Sequence, residues 1–333
     1  MRRWLALAAV VFLATIGWLA VRDIRRGYWS AHGAHVVRFT LHSRLARRGL
    51  REVLVTPHGG GEGRPLLVFL HGRSAPPDSN LSDPFFKGLR ALGNRAPSVL
   101  LADGGNHSYW HDRADGAWGS SLLREAIPAA IARSGADAHR VAIGGVSMGG
   151  FGALDLARLA PHRFCAVGGH SAALWFRGAD TPAGAFDDAA DFDRNDVLAF
   201  AHGHSPYRAP VWIDVGTMDP FLQADTALAH ELRADGARLT FHIWPGVHGS
   251  SYWHRHIGQY LRFYARACAL TARSSRPDPS PIGRLGGIPE SGKRAPGADR
   301  CRGSRRPAAS GCRSPRHRAA RPYPGSPASR STR

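Results

Sequence analysis

The sequence predicts an α/β fold in which helices cover both faces of a mostly parallel central sheet. Six short runs, from "PLLVFLHG" to "LTFHIWPG", are apolar without alternation, as is typical of strands buried on both faces. Amphipathic helical patterns separate most of these runs, beginning with "SSLLREAIPAAIARSG" and ending with "SYWHRHIGQYLRFYARACAL". Strand and helix therefore alternate along the chain, which is the order of a doubly wound sheet.

The elements of this domain, which we place at residues 35–271, follow in a clear order. "HVVRFTLHS" and "REVLVTP" are β-rich runs joined by the polar "RLARRG", which predicts an antiparallel hairpin. The parallel strands expected after it are "PLLVFLHG", "SVLLADGG", "RVAIGGVS", "FCAVGGHS", "PVWIDVG" and "LTFHIWPG". The helices expected among them are "SSLLREAIPAAIARSG", "GGFGALDLARLAP", "FLQADTALAHELRADG" and "SYWHRHIGQYLRFYARACAL".

Residues 1–27 resemble an export signal. Arg2 and Arg3 precede an apolar run from Trp4 to Val21, and "RDIRR" follows it. The length of this run suits either an uncleaved membrane anchor or a cleaved signal peptide, and a buried N-terminal helix is the alternative. We therefore expect an exported protein, either membrane-anchored or extracytoplasmic, with a membrane contact through this segment.

The formal net charge of +19 is concentrated in the C-terminal tail, residues 272–333. This tail holds 15 Lys or Arg and 3 acidic residues, a net +12 (15 − 3), which leaves +7 for the rest. The basic charge is thus weak evidence for a polyanion partner, and no specific nucleic acid partner is expected. Because the tail lacks apolar periodicity, we expect disorder there, either as a functionless extension or as a segment that binds an envelope polyanion.

The four cysteines are Cys165, Cys268, Cys301 and Cys312, and none belongs to a C-x-x-C motif that would indicate a zinc or redox site. Export would permit a disulfide between Cys165 and Cys268. We nevertheless favour Cys165, in "RFCAVGG", as a small buried apolar residue.

A single serine, Ser147, stands in the motif G-x-S-x-G, which here reads Gly145-Val146-Ser147-Met148-Gly149. The motif lies directly after a predicted strand and opens a predicted helix, which is the context of a nucleophile elbow. Bulky side chains beside such a turn would clash with the strand and the helix, so the glycines make room for it. We therefore predict that Ser147 is a nucleophile.

A nucleophilic serine needs a base and a carboxylate that orients the base, and in this fold both follow the serine, each after a later strand. "WIDVGTMDPFL" supplies Asp219 past the end of one strand, and "IWPGVHGSSYW" supplies His248 after the next. The competitors are Asp214 and His242. We favour Asp219 and His248 because both competitors lie within strands.

The oxyanion of an acyl-transfer intermediate is held by two backbone N–H groups. The residue after the nucleophile, Met148, is expected to supply one. The loop after an early strand, "FLHGRSAPP", offers the other at Arg73, with Gly72 as the fallback.

Five ordered blocks, "LVFLHG", "ADGGNHSYWHD", "GGVSMGGFGAL", "GTMDPF" and "PGVHGSSYW", resemble the putative esterase family of α/β hydrolases, which includes esterase D and the mycolyl-transferring proteins of actinobacterial envelopes. The similarity runs from about His35 to Leu270. It implies the α/β-hydrolase fold, the same three catalytic residues and the same two oxyanion donors. It also implies a substrate site lined by "DGGNHSYW", and the substrate-binding candidates are Gly72, Asn106, Tyr109, Trp110 and Trp175. Trp110, Trp175 and Trp253 are expected to be walls of the pocket, with ordinary core packing as the alternative.

The chain departs from the mycolyl-transferring members in the loop His71-Gly72-Arg73-Ser74, where they have an acidic residue and a Leu-Arg pair. Their paired cysteines are also missing from "HDRADGAWGS". These differences favour hydrolysis over transfer to a long lipid.

Several histidines occur in closely spaced pairs, His202 with His204 and His254 with His256. On a helix, residues two apart point to different faces, so these pairs do not predict a metal site. No cofactor and no metal are expected.

The sequence as a whole predicts a serine carboxylesterase that hydrolyses a small-molecule or lipid ester through an acyl-enzyme. One alternative is an acyltransferase acting on an envelope lipid or carbohydrate. Another is a non-catalytic envelope-binding protein on a hydrolase scaffold.

Overall fold

The computed structural model describes residues 29–274, with side chains as far as residue 269. Its centre is a sheet of eight strands: β1 (His35–Ser43), β2 (Arg48–Thr56), β3 (Leu66–Leu70), β4 (Ser98–Leu101), β7 (Val141–Val146), β8 (Ala166–His170), β9 (Val211–Met218) and β10 (Leu239–Val247). They pair in the order β1-β2-β4-β3-β7-β8-β9-β10. A separate two-stranded hairpin consists of β5 (Asp112–Arg113) and β6 (Gly116–Ala117).

The predicted fold class is confirmed: the sheet is parallel from β4 through β10, and the hairpin of β1 and β2 extends it in the antiparallel direction. Alternate side chains of β3 explain its continuous apolar run. Leu66, Val68 and Leu70 join the core on one face, whereas Leu67 and Phe69 join the core on the other. A strand covered on both faces has no position left for a polar residue.

The helices are α1 (Asp83–Leu92), α2 (Trp118–Ser121), α3 (Ile127–Ser134), α4 (Met148–Leu159), α5 (Ala189–Arg194), α6 (Val197–Ala201), α7 (Leu222–Ala234) and α8 (Ser250–Ser274). The predicted helix "SSLLREAIPAAIARSG" is interrupted by a π turn at Leu122–Ala126. Pro128 follows this turn, and because proline has no N–H to donate, the backbone widens before α3 begins. Helices α1, α5 and α6 were not predicted from the sequence.

The predicted N-terminal segment, 1–27, lies outside the described residues. So does the predicted tail, 272–333, apart from the last residues of α8. Across residues 29–274, no helix is both long enough and apolar enough to cross a bilayer.

A disulfide joins Cys165, which immediately precedes β8, to Cys268 in α8. It closes a loop with a sequence separation of 103 residues and fastens α8 to the edge of the sheet where the parallel strands begin. The expectation that Cys165 is only a small apolar residue was therefore wrong.

We expect the double variant Cys165→Ser/Cys268→Ser to lose about 2–5 kcal/mol of unfolding free energy, because a cross-link closing so long a loop restricts the unfolded chain strongly. Urea unfolding of the variant and of the wild type, without reductant, measures the difference. Wild type in reductant should match the variant, and equal midpoints for all three samples would contradict a stabilising role.

The side chain of Glu52 in β2 is buried in the sheet and only 1% exposed. Burial, together with the negative charge of nearby Asp103, raises the pKa of Glu52 to about 8. The folded protein then holds this proton between about pH 4.5 and pH 8, where the unfolded chain has lost it. The free energy of unfolding therefore falls as the pH rises through this interval.

Glu52→Gln should accordingly be more stable than the wild type at about pH 8, by on the order of a few kcal/mol, because the neutral amide has no proton to lose. The advantage should shrink toward about pH 5, where the wild-type carboxyl is neutral in the folded state. Urea unfolding of both proteins at the two pH values is the measurement, and a difference independent of pH would contradict the assignment.

Candidate active site

Ser147 lies on the sharp turn between β7 and α4, with backbone angles φ 56° and ψ −119°. This left-handed conformation is strained for a residue with a side chain. Three backbone hydrogen bonds hold it: Ser147 N–H donates to His170 O (3.1 Å), and Ser147 O accepts from the N–H groups of Phe151 and Ala173 (both 3.0 Å). The neighbouring elements therefore fix the turn that presents the hydroxyl.

The motif glycines are required for space. A Cβ on Gly145 would lie 2.6 Å from the backbone of Gly149, and a Cβ on Gly149 would lie 2.2 Å from Leu70 O. Both distances are shorter than van der Waals contact, so any larger residue would force β3, β7 and α4 apart.

His248 connects Ser147 to Asp219. Its Nε2 lies 2.8 Å from Ser147 Oγ, and its Nδ1 lies 2.9 Å from Asp219 Oδ2. Because a carboxylate only accepts, Nδ1 carries the proton and Nε2 is free to accept the serine proton. The structure thus brings together the three side chains expected from the chain order.

Asp219 is fixed at both oxygens. Its side chain has no solvent exposure, and Oδ1 accepts from the N–H of Phe221 (2.9 Å) while Oδ2 faces His248. A buried carboxylate held in this way keeps the imidazole in one tautomer and one orientation.

Asp214, the competing carboxylate, lies within β9 and is fully buried. Its Oδ1 accepts from His170 Nδ1 (2.6 Å) and Trp212 Nε1 (2.7 Å). Its Oδ2 accepts from the hydroxyls of Tyr252 (2.9 Å) and Tyr260 (2.8 Å). All four donors lie outside the serine site, so Asp214 fastens α8 to the sheet and does not contact His248.

His242, the competing base, lies in β10 opposite Asp214 and stacks against Trp244 with a ring separation of 4.5 Å. It makes no hydrogen bond to Ser147. In the described part of the chain, no three His, Cys, Asp or Glu side chains come close enough to hold a metal ion.

The loop after β3 lies against the serine. A Cβ on Gly72 would be 3.4 Å from Ser147 Cβ and 3.9 Å from Ser147 Oγ. Two further backbone bonds shape this loop: Ser74 N–H donates to Asn106 O (2.8 Å), and Ala75 N–H donates to Gly72 O (3.2 Å).

His71 fixes the orientation of the peptide group between Gly72 and Arg73. The buried ring donates from Nδ1 to Gly72 O (2.8 Å) and accepts at Nε2 from the N–H of Gly104 (3.0 Å). Burial lowers the pKa of His71, which favours this neutral tautomer. In a trans peptide the N–H points opposite to the C=O, so the N–H of Arg73 points away from His71.

Met148 is the first residue of α4, and the first N–H groups of a helix have no partner within the helix. The positive end of the helix dipole therefore lies beside Ser147. Met148 and Arg73, the two predicted oxyanion donors, thus lie on the two segments that flank Ser147.

A cleft of about 410 Å³ opens over Ser147 and His248. Gly72, Tyr109 and Trp175 line it, as predicted, and Trp253 lines it too. Phe221 is an additional wall, and its ring packs edge-on against that of His248 at 5.2 Å.

Two predicted substrate-binding residues do not line this cleft. Trp110 is only 1% exposed and packs beneath His71, where its Nε1 donates to His71 O (3.4 Å). A Cβ on Gly104 or Gly152 would strike its ring, so the indole fills a space that these glycines leave open. Asn106 lines a neighbouring cavity of about 350 Å³ and holds the loop of Ser74 through its carbonyl.

Sequence reasoning did not assign His71 and Phe221 to the site. The signal for Phe221 was its position two residues after Asp219 in "DPFL", which brings it to the same strand end. His71 directly precedes the predicted donor loop, but no pattern showed that its ring turns back onto the peptide of Gly72.

The sequence model of the family described as "Putative esterase" matches residues 88–264. Among solved structures, a ferulic acid esterase is similar with a TM-score of 0.62 at 21% identity, over 71% of this chain and 98% of its own. An S-formylglutathione hydrolase from Agrobacterium tumefaciens gives 0.59 at 18%, over 72% and 97%. MPT51 from Mycobacterium tuberculosis gives 0.56 at 19%, over 70% and 99%. No curated protein sequence matches this chain.

Proposed function

Since the chain belongs to the putative esterase family of α/β hydrolases, we propose that it is a serine carboxylesterase that works through an acyl-enzyme. Family membership, which the sequence blocks had indicated, makes it a hydrolase of the esterase type. The observation that carries the finer proposal is the bridge formed by His248 between Ser147 Oγ (2.8 Å) and Asp219 Oδ2 (2.9 Å).

In the acylation step, Ser147 Oγ attacks the carbonyl carbon of the ester and its proton passes to His248 Nε2. Asp219 stabilises the imidazolium that forms. The carbonyl oxygen becomes an oxyanion, which the N–H groups of Met148 and Arg73 receive. When the tetrahedral intermediate collapses, the C–O bond to the alcohol breaks and His248 returns the proton to the departing oxygen.

In deacylation, water takes the place of the alcohol. His248 Nε2 removes a proton from the water as its oxygen attacks the acyl carbon, and the same N–H groups hold the second oxyanion. Collapse breaks the bond to Ser147 Oγ, which regains the proton, and the carboxylic acid leaves. The cycle needs no group beyond the residues named and water.

The cleft favours a compact, apolar acyl group. Its volume of about 410 Å³ is near the lower end of the range of roughly 300–1,000 Å³ for small-molecule pockets. Tyr109, Trp175, Phe221 and Trp253 supply its aromatic walls. A hydroxyl of an envelope lipid or sugar could replace water as acceptor, which would make the protein an acyltransferase.

We also propose that the protein is exported and held at a membrane through residues 1–27. The apolar run from Trp4 to Val21, flanked by arginines, supports this proposal. The disulfide between Cys165 and Cys268 supports it independently, because disulfides persist mainly in oxidising compartments outside the cytosol.

The function is tested by hydrolysis of aryl esters of increasing acyl length, with Ser147→Ala as the blank and product analysis with and without a sugar acceptor. We expect kcat/KM to be highest for short acyl chains and to fall as the chain outgrows the cleft. Acylated sugar as the main product would favour the transferase. Absence of turnover on every ester would favour the non-catalytic alternative.

Trp175→Ala should widen the cleft and shift the kcat/KM ratio of long to short esters by on the order of 10-fold toward the long ones, because steric fit in an apolar pocket discriminates by about this factor. Phe176→Ala is the matched control, since Phe176 is half exposed and lies outside the cleft. Equal shifts in both variants would contradict the assignment of Trp175 to the acyl pocket.

A further inference from the structure

A groove of about 530 Å³ lies between the C-terminal end of α1 and the second half of α8. It is lined by Arg95, Arg262 and Arg266 together with Leu92 and alanines from both helices. The three arginines are exposed, and no described carboxylate forms an ion pair with them. The groove therefore combines unpaired positive charge with an apolar surface.

The two helices run in the same direction, which places the groove far from the cleft. Near their starts, His254 Nε2 donates to Ser79 O (3.3 Å), and both Ser79 and Ser250 line the cleft. Farther along, Gly88 packs against Leu261. From Ser250 the axis of α8 advances about 18 Å to Arg262 and about 29 Å to Ala269, at 1.5 Å per residue, so the groove lies toward the opposite edge of the sheet.

The chain emerging from the N-terminal segment lies on the same helix. Trp29 stacks on Phe86 of α1 at 4.5 Å, and the N–H of Ser30 donates to Asp83 Oδ1 (3.1 Å). Arg90, which is also exposed, donates to His32 O (3.2 Å). From Phe86 to Leu92 the helix axis advances only about 9 Å.

The apolar run ends at Val21, so residues 22–28 are all that separate it from Trp29. Seven residues span at most about 25 Å. If the run is inserted in a bilayer, the face of α1 that carries Trp29 and Arg90 lies near the lipid headgroups. The three arginines of the groove then lie near a surface on which phosphates are the complementary charge.

We propose that the groove between α1 and α8 binds the phosphate headgroups of anionic phospholipids and thereby turns the catalytic cleft away from the bilayer. The proposal rests on the membrane attachment proposed above. Guanidinium groups bind phosphate oxygens in pairs of hydrogen bonds, and the apolar floor suits the start of an acyl chain. The C-terminal tail is not the expected occupant of the groove, because its net charge of +12 (15 − 3) has the same sign as the charge of the groove arginines. Esters would accordingly reach the cleft from the aqueous side.

The test uses the full chain with vesicles of phosphatidylcholine alone and with vesicles that also contain phosphatidylglycerol. Sedimentation reports attachment, and amide hydrogen exchange over residues 91–96, where α1 ends and Arg95 follows, reports the groove. We expect phosphatidylglycerol to slow exchange across this segment roughly 10-fold relative to phosphatidylcholine. The variant Arg95→Gln/Arg262→Gln/Arg266→Gln should lose this protection and keep wild-type aryl-ester turnover.

The matched control is Arg44→Gln/Arg124→Gln/Arg233→Gln, which removes three exposed arginines outside the groove and should retain the protection. Equal loss in both variants, or unchanged exchange in vesicle-bound wild type, would overturn the proposal. Protection without vesicles that grows with protein concentration would assign the groove to a second copy and overturn it too. Failure to sediment with phosphatidylcholine would instead contradict the membrane attachment.

Discussion

Ser147→Ala is expected to lower kcat for ester hydrolysis by a factor on the order of 10⁶, the scale found when the nucleophile of a serine-protease triad is removed. Without Oγ no acyl-enzyme forms, and the residual rate depends on water attacking between His248 and the two backbone donors. The fold should persist, because alanine lacks only the hydroxyl of serine and the backbone strain at residue 147 is already present in the wild type. Steady-state kinetics on a short aryl ester measures the loss.

Ser250→Ala is the matched control for this change. Ser250 also lines the cleft, but its hydroxyl makes no hydrogen bond to His248. It should retain nearly wild-type kcat. If kcat fell to a comparable extent in both variants, the loss in Ser147→Ala could not be assigned to a missing nucleophile.

Asp219→Asn should lower kcat by a factor on the order of 10⁴ at nearly unchanged stability, because an amide facing His248 Nδ1 favours the wrong imidazole tautomer. Asp214→Asn should instead lower the stability and leave kcat nearly unchanged. Its carboxylate accepts four buried hydrogen bonds, and an asparagine presents an NH₂ group toward two of those donors. We expect a loss of a few kcal/mol of unfolding free energy with nearly normal turnover in the folded fraction.

The two aspartates are best compared side by side, with kcat on one ester and the midpoint of thermal unfolding for each variant. If Asp214→Asn lost turnover at unchanged stability while Asp219→Asn stayed active, the carboxylate that orients His248 would be misassigned.

The three central side chains could be predicted because each depends on chain order and on the ends of strands. Apolar runs locate the strand ends, and parallel strands bring their carboxyl ends to one edge of the sheet. Asp219 and Asp214 differ by only five positions, yet the end of the run "WIDVG" separates the one in the loop from the one in the strand.

The cleft walls were harder to predict because they depend on tertiary packing. Trp110 and Tyr109 are neighbours with similar composition around them, but Tyr109 borders the cleft while Trp110 fills the space beside Gly104 and Gly152. The ring of His71 turns back and donates a hydrogen bond to Gly72 O, and no hydrophobic periodicity in the sequence indicates this contact. Helix α1 was missed because Pro84 and Gly88 weaken its pattern, although the Ser82 side chain caps its first turn.

Reaction of the full chain with a fluorophosphonate, followed by peptide mass analysis, tests the central claim most directly. An activated serine beside an oxyanion site reacts, whereas an ordinary surface hydroxyl does not. We predict one phosphonylated residue, Ser147, with no labelling in Ser147→Ala and strongly slowed labelling in His248→Ala. Labelling that persists in Ser147→Ala, or a wild-type adduct on another serine, would contradict the account.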